Sequence, residues 1–150
     1  MSQRSPAPAP HDFPSLLSRR LDWSELDVLG HANNARYFTW FEEARMHFFK
    51  SVGVPVTGEE GWGPILAHTD CQFLAPVEWP AQLQLGAQVE SVGRSSFKMS
   101  YAVFVERGSD EAHLQCVAMG SGVIVLVRYE SGEKVLISEE LRARLLKGLP

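Results

Sequence analysis

Residues 25 to 45 read ELDVLGHANNARYFTWFEEAR, and the first ten of them hold two acids, a glycine, a histidine and two adjacent asparagines. Asp27 has the greatest chemical reach among these. A carboxylate seven residues before Asn34 can lie near the N-terminus of a helix that opens at Asn33 or Asn34. Orphaned backbone N–H groups and the helix dipole favour negative charge there. The same N–H groups can polarise a carbonyl oxygen and stabilise the oxyanion formed when a nucleophile attacks it. An acid beside a helix N-terminus is a minimal kit for acyl transfer or hydrolysis. A plainer account also fits these residue types. Asp27 and Glu25 then decorate a loop that Asn33 or Asn34 caps, since Asp, Gly and Asn are common turn residues.

Such a loop needs elements to hold it. Leu16 to Trp23 reads as a first strand, and residues 24 to 32 as the loop. A helix is predicted from Asn33 or Asn34 to Val52, with Asn as N-cap and with Gly53 and Pro55 as its stop. Tyr37, Phe41, Ala44, Phe48 and Val52 recur at spacings of three and four, and Phe38, Trp40 and Phe49 widen the stripe. At about 1.5 Å per residue this helix spans roughly 30 Å. Its wide apolar arc predicts a helix largely wrapped by sheet.

The remainder reads as strands. PILAHTDCQFLAPV (64–77) is β-compatible and bounded by prolines, and AQLQLGAQVESV alternates with Leu83, Leu85, Ala87 and Val89 on one side. GRS at 93–95 reads as a turn, FKMSYAVFVE alternates again, and RGSDE (107–111) reads as the next turn. In the long run HLQCVAMGSGVIVLVRYE, Gly120 and Gly122 predict a bend or bulge. SEELRARLLKGL reads as a short helix with Ser138 as N-cap. The order is strand, long helix, four strands: an α+β architecture in which an antiparallel sheet curls around one helix.

A length of 150 residues fits one domain, and the 45% apolar and 21% charged content is that of a globular chain. A net charge of −4 without a block of like charges excludes broad attraction to nucleic acid or anionic membrane. No apolar run reaches the roughly 18–20 residues of a membrane span. MSQRSPAPAPHDFP lacks the apolar core of a secretory signal, and its alternating Pro and Ala predict a disordered or extended tail over 1–13, with the domain at 14–150. Cys71 and Cys116 are isolated and read as reduced structural thiols, which points to a cytoplasmic protein. No clustered ligands suggest a metal. His68 reads as an ordinary strand residue.

The stretch WSELDVLGHANNARYFTWFEEAR resembles the signature of the hotdog-fold acyl-CoA thioesterases, the 4-hydroxybenzoyl-CoA thioesterase and its relatives, approximately D-x-D-x-x-G-H-x-N-N-x-x-Y-x-x-[WY]-x-E. Asp27, Gly30, His31, Asn33, Asn34, Tyr37, Trp40 and Glu42 match it. CQFLAPVEWPAQLQLGAQV and GRSSFKMSYAVF are similar to later strands of that family, so the likeness covers roughly residues 16–130. The resemblance implies a hotdog fold, hydrolysis of an acyl-CoA to free acid and CoA, no separate cofactor, and a homodimer assembling to a homotetramer with active sites between protomers. It makes Asp27 the catalytic carboxylate, as nucleophile or as general base. It places His31 and Asn34 in the catalytic group, and Gly30, Asn33, Tyr37, Glu42, Arg94, Ser95 and Ser96 against substrate, the last three toward the CoA nucleotide.

Two departures stand out. Glu25 takes the place of the commoner first Asp, and Asn34 stands where some relatives carry His. His31 therefore has two open readings: it orients substrate or relays protons, or it holds the loop by hydrogen bonds. Glu43 reads as part of a solvated helix face. Arg94 to Ser96 suit a phosphate but also make a plain turn. Phe38, Phe41, Phe48 and Phe49 line an acyl pocket or fill the core. Two other functions suit the same fold: a hydratase or dehydratase using Asp27 and His31, and a non-catalytic acyl-CoA binder. Free-thiol release without prior hydration of an enoyl-CoA separates the thioesterase from the hydratase, and the presence of Asp27 argues against a pure binder.

Overall fold

The computed structural model describes residues 5–107 and 113–148. The chain forms β1 (Leu16–Arg20), α1 (Arg36–Val52), β2 (Trp62–Phe73), β3 (Gln82–Val92), β4 (Ser96–Glu106), β5 (Leu114–Arg128) and α2 (Glu139–Lys147). The strands make one five-stranded antiparallel sheet in the order β1-β3-β4-β5-β2. Helix α1 packs on its inner face, the arrangement of the hotdog fold. β1 and β2 are the two sheet edges, and β2 is the long one at 12 residues.

The predicted alternation is the physical cause of the sheet's two faces. Leu83, Leu85 and Ala87 on β3, and Phe97, Met99, Tyr101, Val103 and Val105 on β4, are all buried and form one cluster with the helix residues. The helix contributes Tyr37, Trp40, Phe41, Ala44, Phe48, Phe49 and Val52. Full burial of each large side chain is worth about 1.5–3 kcal/mol, so this seam supplies most of the hydrophobic stabilisation.

Several expectations need correction. β1 stops at Arg20, and a 3-10 turn at Trp23–Glu25 follows instead of a strand reaching Trp23. α1 begins at Arg36, not at Asn33 or Asn34, because Asn33 first closes a turn: its Oδ1 accepts the Ala35 N–H at 3.0 Å and its carbonyl accepts that of Arg36. With 17 residues the helix is about 26 Å long. It ends as expected at Gly53, whose φ of 83° favours glycine. The sheet does not wrap α1 all round, since Arg36, Thr39, Glu42, His47 and Lys50 stay exposed and Phe38 is 40% exposed.

Gly120 and Gly122 mark no bulge. The register shifts lie at Leu66/His68, Val89/Ser91 and Val103/Phe104. The glycines instead allow close packing, since a Cβ at Gly120 would meet the Asp70 carbonyl and lie 2.6 Å from Phe41 Cε2. One at Gly122 would lie 2.6 Å from the Tyr101 hydroxyl.

Pro10–Asp12 is a 3-10 turn, and Phe13 is buried against Phe104, edge to face at 6.0 Å, over Gly86 on the outer face of the sheet. An aromatic ring recovers there what the prolines cannot. Residues 1–4 and most of the predicted turn at 107–111 lie outside the described residues. At the other end Ser138 Oγ caps α2 through the Leu141 N–H at 3.1 Å, and Arg142 donates to the carbonyls of Val92 and Gly93, both at 2.9 Å. Among the described residues no helix is long and apolar enough to cross a membrane.

Candidate active site

The loop from Leu26 to Asn33 is held at both ends by backbone pairing. Leu26 bridges Ala32 and His31 bridges Glu78, while the Ala32 N–H donates to the Val77 carbonyl at 2.8 Å. Within it the Asp27 N–H donates to the His31 carbonyl at 2.8 Å, and the Gly30 N–H to the Asp27 carbonyl at 3.1 Å. Gly30 completes this tight turn at φ 80°, a conformation that costs glycine no Cβ clash. The Asp27 carboxylate faces back into the loop with one oxygen. Its Oδ1 accepts the N–H groups of Leu29 at 2.9 Å and His31 at 3.3 Å, leaving Oδ2 without a hydrogen bond among the described residues.

Beneath the loop lies a buried acid. Glu25 Oε1 accepts from Arg19 Nη1 at 2.8 Å and Trp40 Nε1 at 3.1 Å, and its Oε2 accepts the Asp22 N–H at 2.9 Å. Its carbonyl accepts the Asn33 N–H at 2.8 Å. One residue thereby ties β1, the 3-10 turn, the end of the loop and α1 together. Burial opposes its ionisation, but the donors from Arg19, Asp22 and Trp40 outweigh that and hold the carboxyl below the usual glutamate range. Arg19 Nε also meets Glu43 Oε2 at 3.2 Å, so Glu43 is part of this network and not of a solvated face. Burial raises the Glu43 carboxyl above its ordinary value, with Arg19 opposing the rise.

Asp27, Leu29, His31, Ala32, Asn34 and Tyr37 meet the end of β2 and the following residues, Phe73 to Pro76, around a cleft of about 380 Å³. Three of its walls are therefore the three residues expected to do chemistry: Asp27, His31 and Asn34. Asn34 makes no hydrogen bond among the described residues, so both its side-chain amide and its N–H remain available. Tyr37 is buried edge to face with Phe73 at 5.0 Å and beside Trp40 at 4.6 Å. Burial pushes its hydroxyl up to about 12, so it stays neutral. The His31 ring lies 3.6 Å from the Glu78 carboxylate, outside the loop, while its backbone pairs with Asp27. The backbone of His31 holds the loop, and its ring lies beside Glu78 at the cleft.

Gly30 and Asn33 shape the loop and do not line the cleft. Glu42 is exposed on α1, 3.8 Å from the buried Arg45, and is also outside it. Arg94, Ser95 and Ser96 lie at the far end of the sheet. Ser96 pairs with Val125 whereas Phe73 pairs with Ala118, about 23 Å apart along β5. That hairpin is integrated by its backbone: the Arg94 carbonyl accepts the Ile137 N–H and that of Ser95 the Leu126 N–H. Phe38 is exposed, and Phe41, Phe48 and Phe49 are core. Cys71 and Cys116 are free thiols, and burial pushes Cys71 up to about 12. Among the described residues no group of three or more His, Cys, Asp or Glu could hold a metal ion.

Phe73 to Pro76 and the role of Glu25 are absent from the sequence reading. A signal for Glu25 does exist: Asp22-Trp-Ser-Glu25 is a capping box, and both of its reciprocal bonds form.

Known proteins share the fold that carries this cleft. The family model described as thioesterase-like superfamily matches residues 21–145. The chain belongs to the thioesterase-like superfamily. It is 30% identical to protein YsmA of Bacillus subtilis over 124 residues, 83% of this chain and 80% of that one. A thioesterase superfamily structure from Jannaschia superposes with a TM-score of 0.80 at 27% identity, over 90% of this chain and 84% of the other. A thioesterase from Thermus thermophilus, solved with coenzyme A and Zn, superposes with a TM-score of 0.73 at 27% identity, over 89% and 98% of the two chains. Membership of this superfamily supports thioester hydrolysis as the class of reaction.

Proposed function

We propose that this thioesterase-like protein hydrolyses acyl-CoA thioesters with Asp27 as its catalytic carboxylate. The observation that carries the reading is the half-occupied Asp27 at a cleft it shares with the unbonded Asn34. Two backbone donors fix Oδ1, which aims the group and stabilises its charge, and Oδ2 is left for the substrate. It attacks the thioester carbonyl itself or takes a proton from the water that does. In either route the C–S bond breaks and CoA leaves as its thiolate; on the first, water then cleaves the acyl–Asp27 anhydride, releasing the free acid and restoring the carboxylate. Asn34, at the approach to α1, donates to the carbonyl oxygen as negative charge develops there. Leu29, Phe73, Leu74 and Pro76 offer an apolar wall to the acyl group. His31 acts by keeping the loop closed.

A second copy of the chain completes the unit in this reading. One side of β2 is unpaired along its 12 residues, and Ile65, Leu66 and Phe73 on it are exposed, a surface that proteins seldom leave uncovered. The cleft borders this edge through Phe73. Pairing along β2 brings a partner to its open side.

The test is free-thiol release across a panel of aliphatic and aromatic acyl-CoAs, with wild type beside Asp27→Ala. Turnover is expected to fall roughly a hundredfold or more, the usual size of a lost acid–base or nucleophilic group. Undiminished hydrolysis by a folded Asp27→Ala protein refutes the mechanism.

A further inference from the structure

We infer that a second notch, between the end of β1 and the start of β3, receives the phosphorylated adenosine end of the CoA substrate; this rests on the acyl-CoA reading above. The notch has a volume of about 350 Å³ and is lined by Arg20, Leu21, Trp79, Pro80, Ala81 and Gln82. Its chemistry is a pair: a cation and an exposed indole. The Arg20 guanidinium enters no ion pair among the described residues, and Trp79 is 52% exposed. Arginine presents a planar fork of donors to phosphate oxygens, and an indole offers its face to a purine.

The notch neighbours the cleft along the chain. Leu74, Ala75 and Pro76 line the cleft, and Trp79 to Gln82 line the notch, on the same connection between β2 and β3. Trp79 is three positions on from Pro76, a path of at most about 11 Å. The ridge between them is the His31–Glu78 backbone bridge, and the Leu21 N–H closes the notch floor on the Ala81 carbonyl at 2.9 Å. A pantetheine arm, with its two amides, is long enough to cross such a ridge from a thioester seated at Asp27. The Arg94 hairpin, at the far end of the sheet, can serve this site only from another copy. Within one protomer, Arg20 and Trp79 are the nearer anchor.

The test carries one acyl group on CoA and on pantetheine, and measures KM by free-thiol release for wild type, Arg20→Ala, Trp79→Ala and Arg94→Ala. In the Arg20 and Trp79 variants the ratio of KM for the CoA thioester to KM for the pantetheine thioester is expected to rise about tenfold, the loss expected of one stacked base or phosphate contact. A ratio that is unchanged in both, or that rises only in Arg94→Ala, overturns the assignment. Titration calorimetry with CoA itself gives a readout free of turnover. Affinity weakened about tenfold by Trp79→Ala supports the notch even where no thioester is hydrolysed, and unchanged affinity overturns it. Hydrolysis by wild type with an unchanged ratio removes the notch alone and leaves the thioesterase reading standing. A Trp79→Ala protein whose oligomeric state has changed on gel filtration reassigns the indole to a subunit contact and also overturns the inference.

Discussion

Glu25→Gln keeps the shape of the side chain and removes its charge, which makes it a direct probe of the strut beneath the loop. The carboxylate receives three donors: Arg19 and Trp40 on one oxygen and the Asp22 N–H on the other. A glutamine has one acceptor oxygen, so its NH₂ must face a donor. With the oxygen toward Arg19 and Trp40, the Asp22 N–H loses its acceptor; with the amide reversed, the other two lose theirs. A donor left unsatisfied in a buried position costs about 1–3 kcal/mol. Loss of the charge also weakens the Arg19 contact, although Arg19 keeps Glu43 at 3.2 Å and is 22% exposed, which limits this part. Together these give about 2–4 kcal/mol, or a fall in Tm of roughly 4–16 °C for a domain of this size. Urea unfolding at a series of pH values measures it. Because the folded state holds the Glu25 carboxyl below its ordinary range, the wild-type advantage is whole above about pH 4.3 and is lost as pH falls through the folded value. A difference at pH 7 below about 0.5 kcal/mol, or one that persists undiminished in acid, refutes the reasoning.

Two further substitutions probe packing that the glycines permit. Gly120→Ala drives a methyl group into the Asp70 carbonyl and the Phe41 ring, with backbone on one side that cannot yield, so a loss of about 3 kcal/mol is expected by urea unfolding; a neutral result contradicts the close approach. Phe13→Ala empties the contact over Gly86 and against Phe104, and is expected to cost about 3 kcal/mol while speeding proteolytic cleavage within residues 5–12. Cleavage at the wild-type rate shows that the segment is held by something other than this ring.

The order of elements was legible because each strand on the inner face repeats with period two and α1 with spacings of three and four. The positions of Leu83, Leu85, Phe97, Met99 and Tyr101 follow from that alone. Sheet order was not legible, since β2 pairs with β5 across an intervening hairpin and no local feature encodes that choice. Local chemistry also misled where tertiary packing overrode it. Gly120 and Gly122 look like bend residues, yet they are small to admit Phe41 and Tyr101. Phe38 looks like core by periodicity but faces outward, on the side of α1 that no sheet covers. Of the cleft, the loop side was readable from composition and the Phe73–Pro76 side was not. Its residues become a wall only because the end of β2 docks beside Tyr37.

The two acids of the loop show why the roles divide as they do. Glu25 and Asp27 are two residues apart and carry the same functional group, so residue type cannot separate them. Their surroundings do. All of the strong donors near Glu25 are spent on its two oxygens, and a carboxylate so engaged is a poor base and a poor nucleophile. Asp27 has its donors on one oxygen only. The division also couples them mechanically. The Asn33 N–H is bound to the Glu25 carbonyl, and Asn33 in turn caps the approach to α1. Displacing Glu25 therefore shifts both the carboxylate of Asp27 and the Asn34 donors opposite it. An effect of Glu25→Gln on turnover larger than its effect on KM follows from that linkage, because geometry at the reacting carbonyl matters more in the transition state than in the bound substrate.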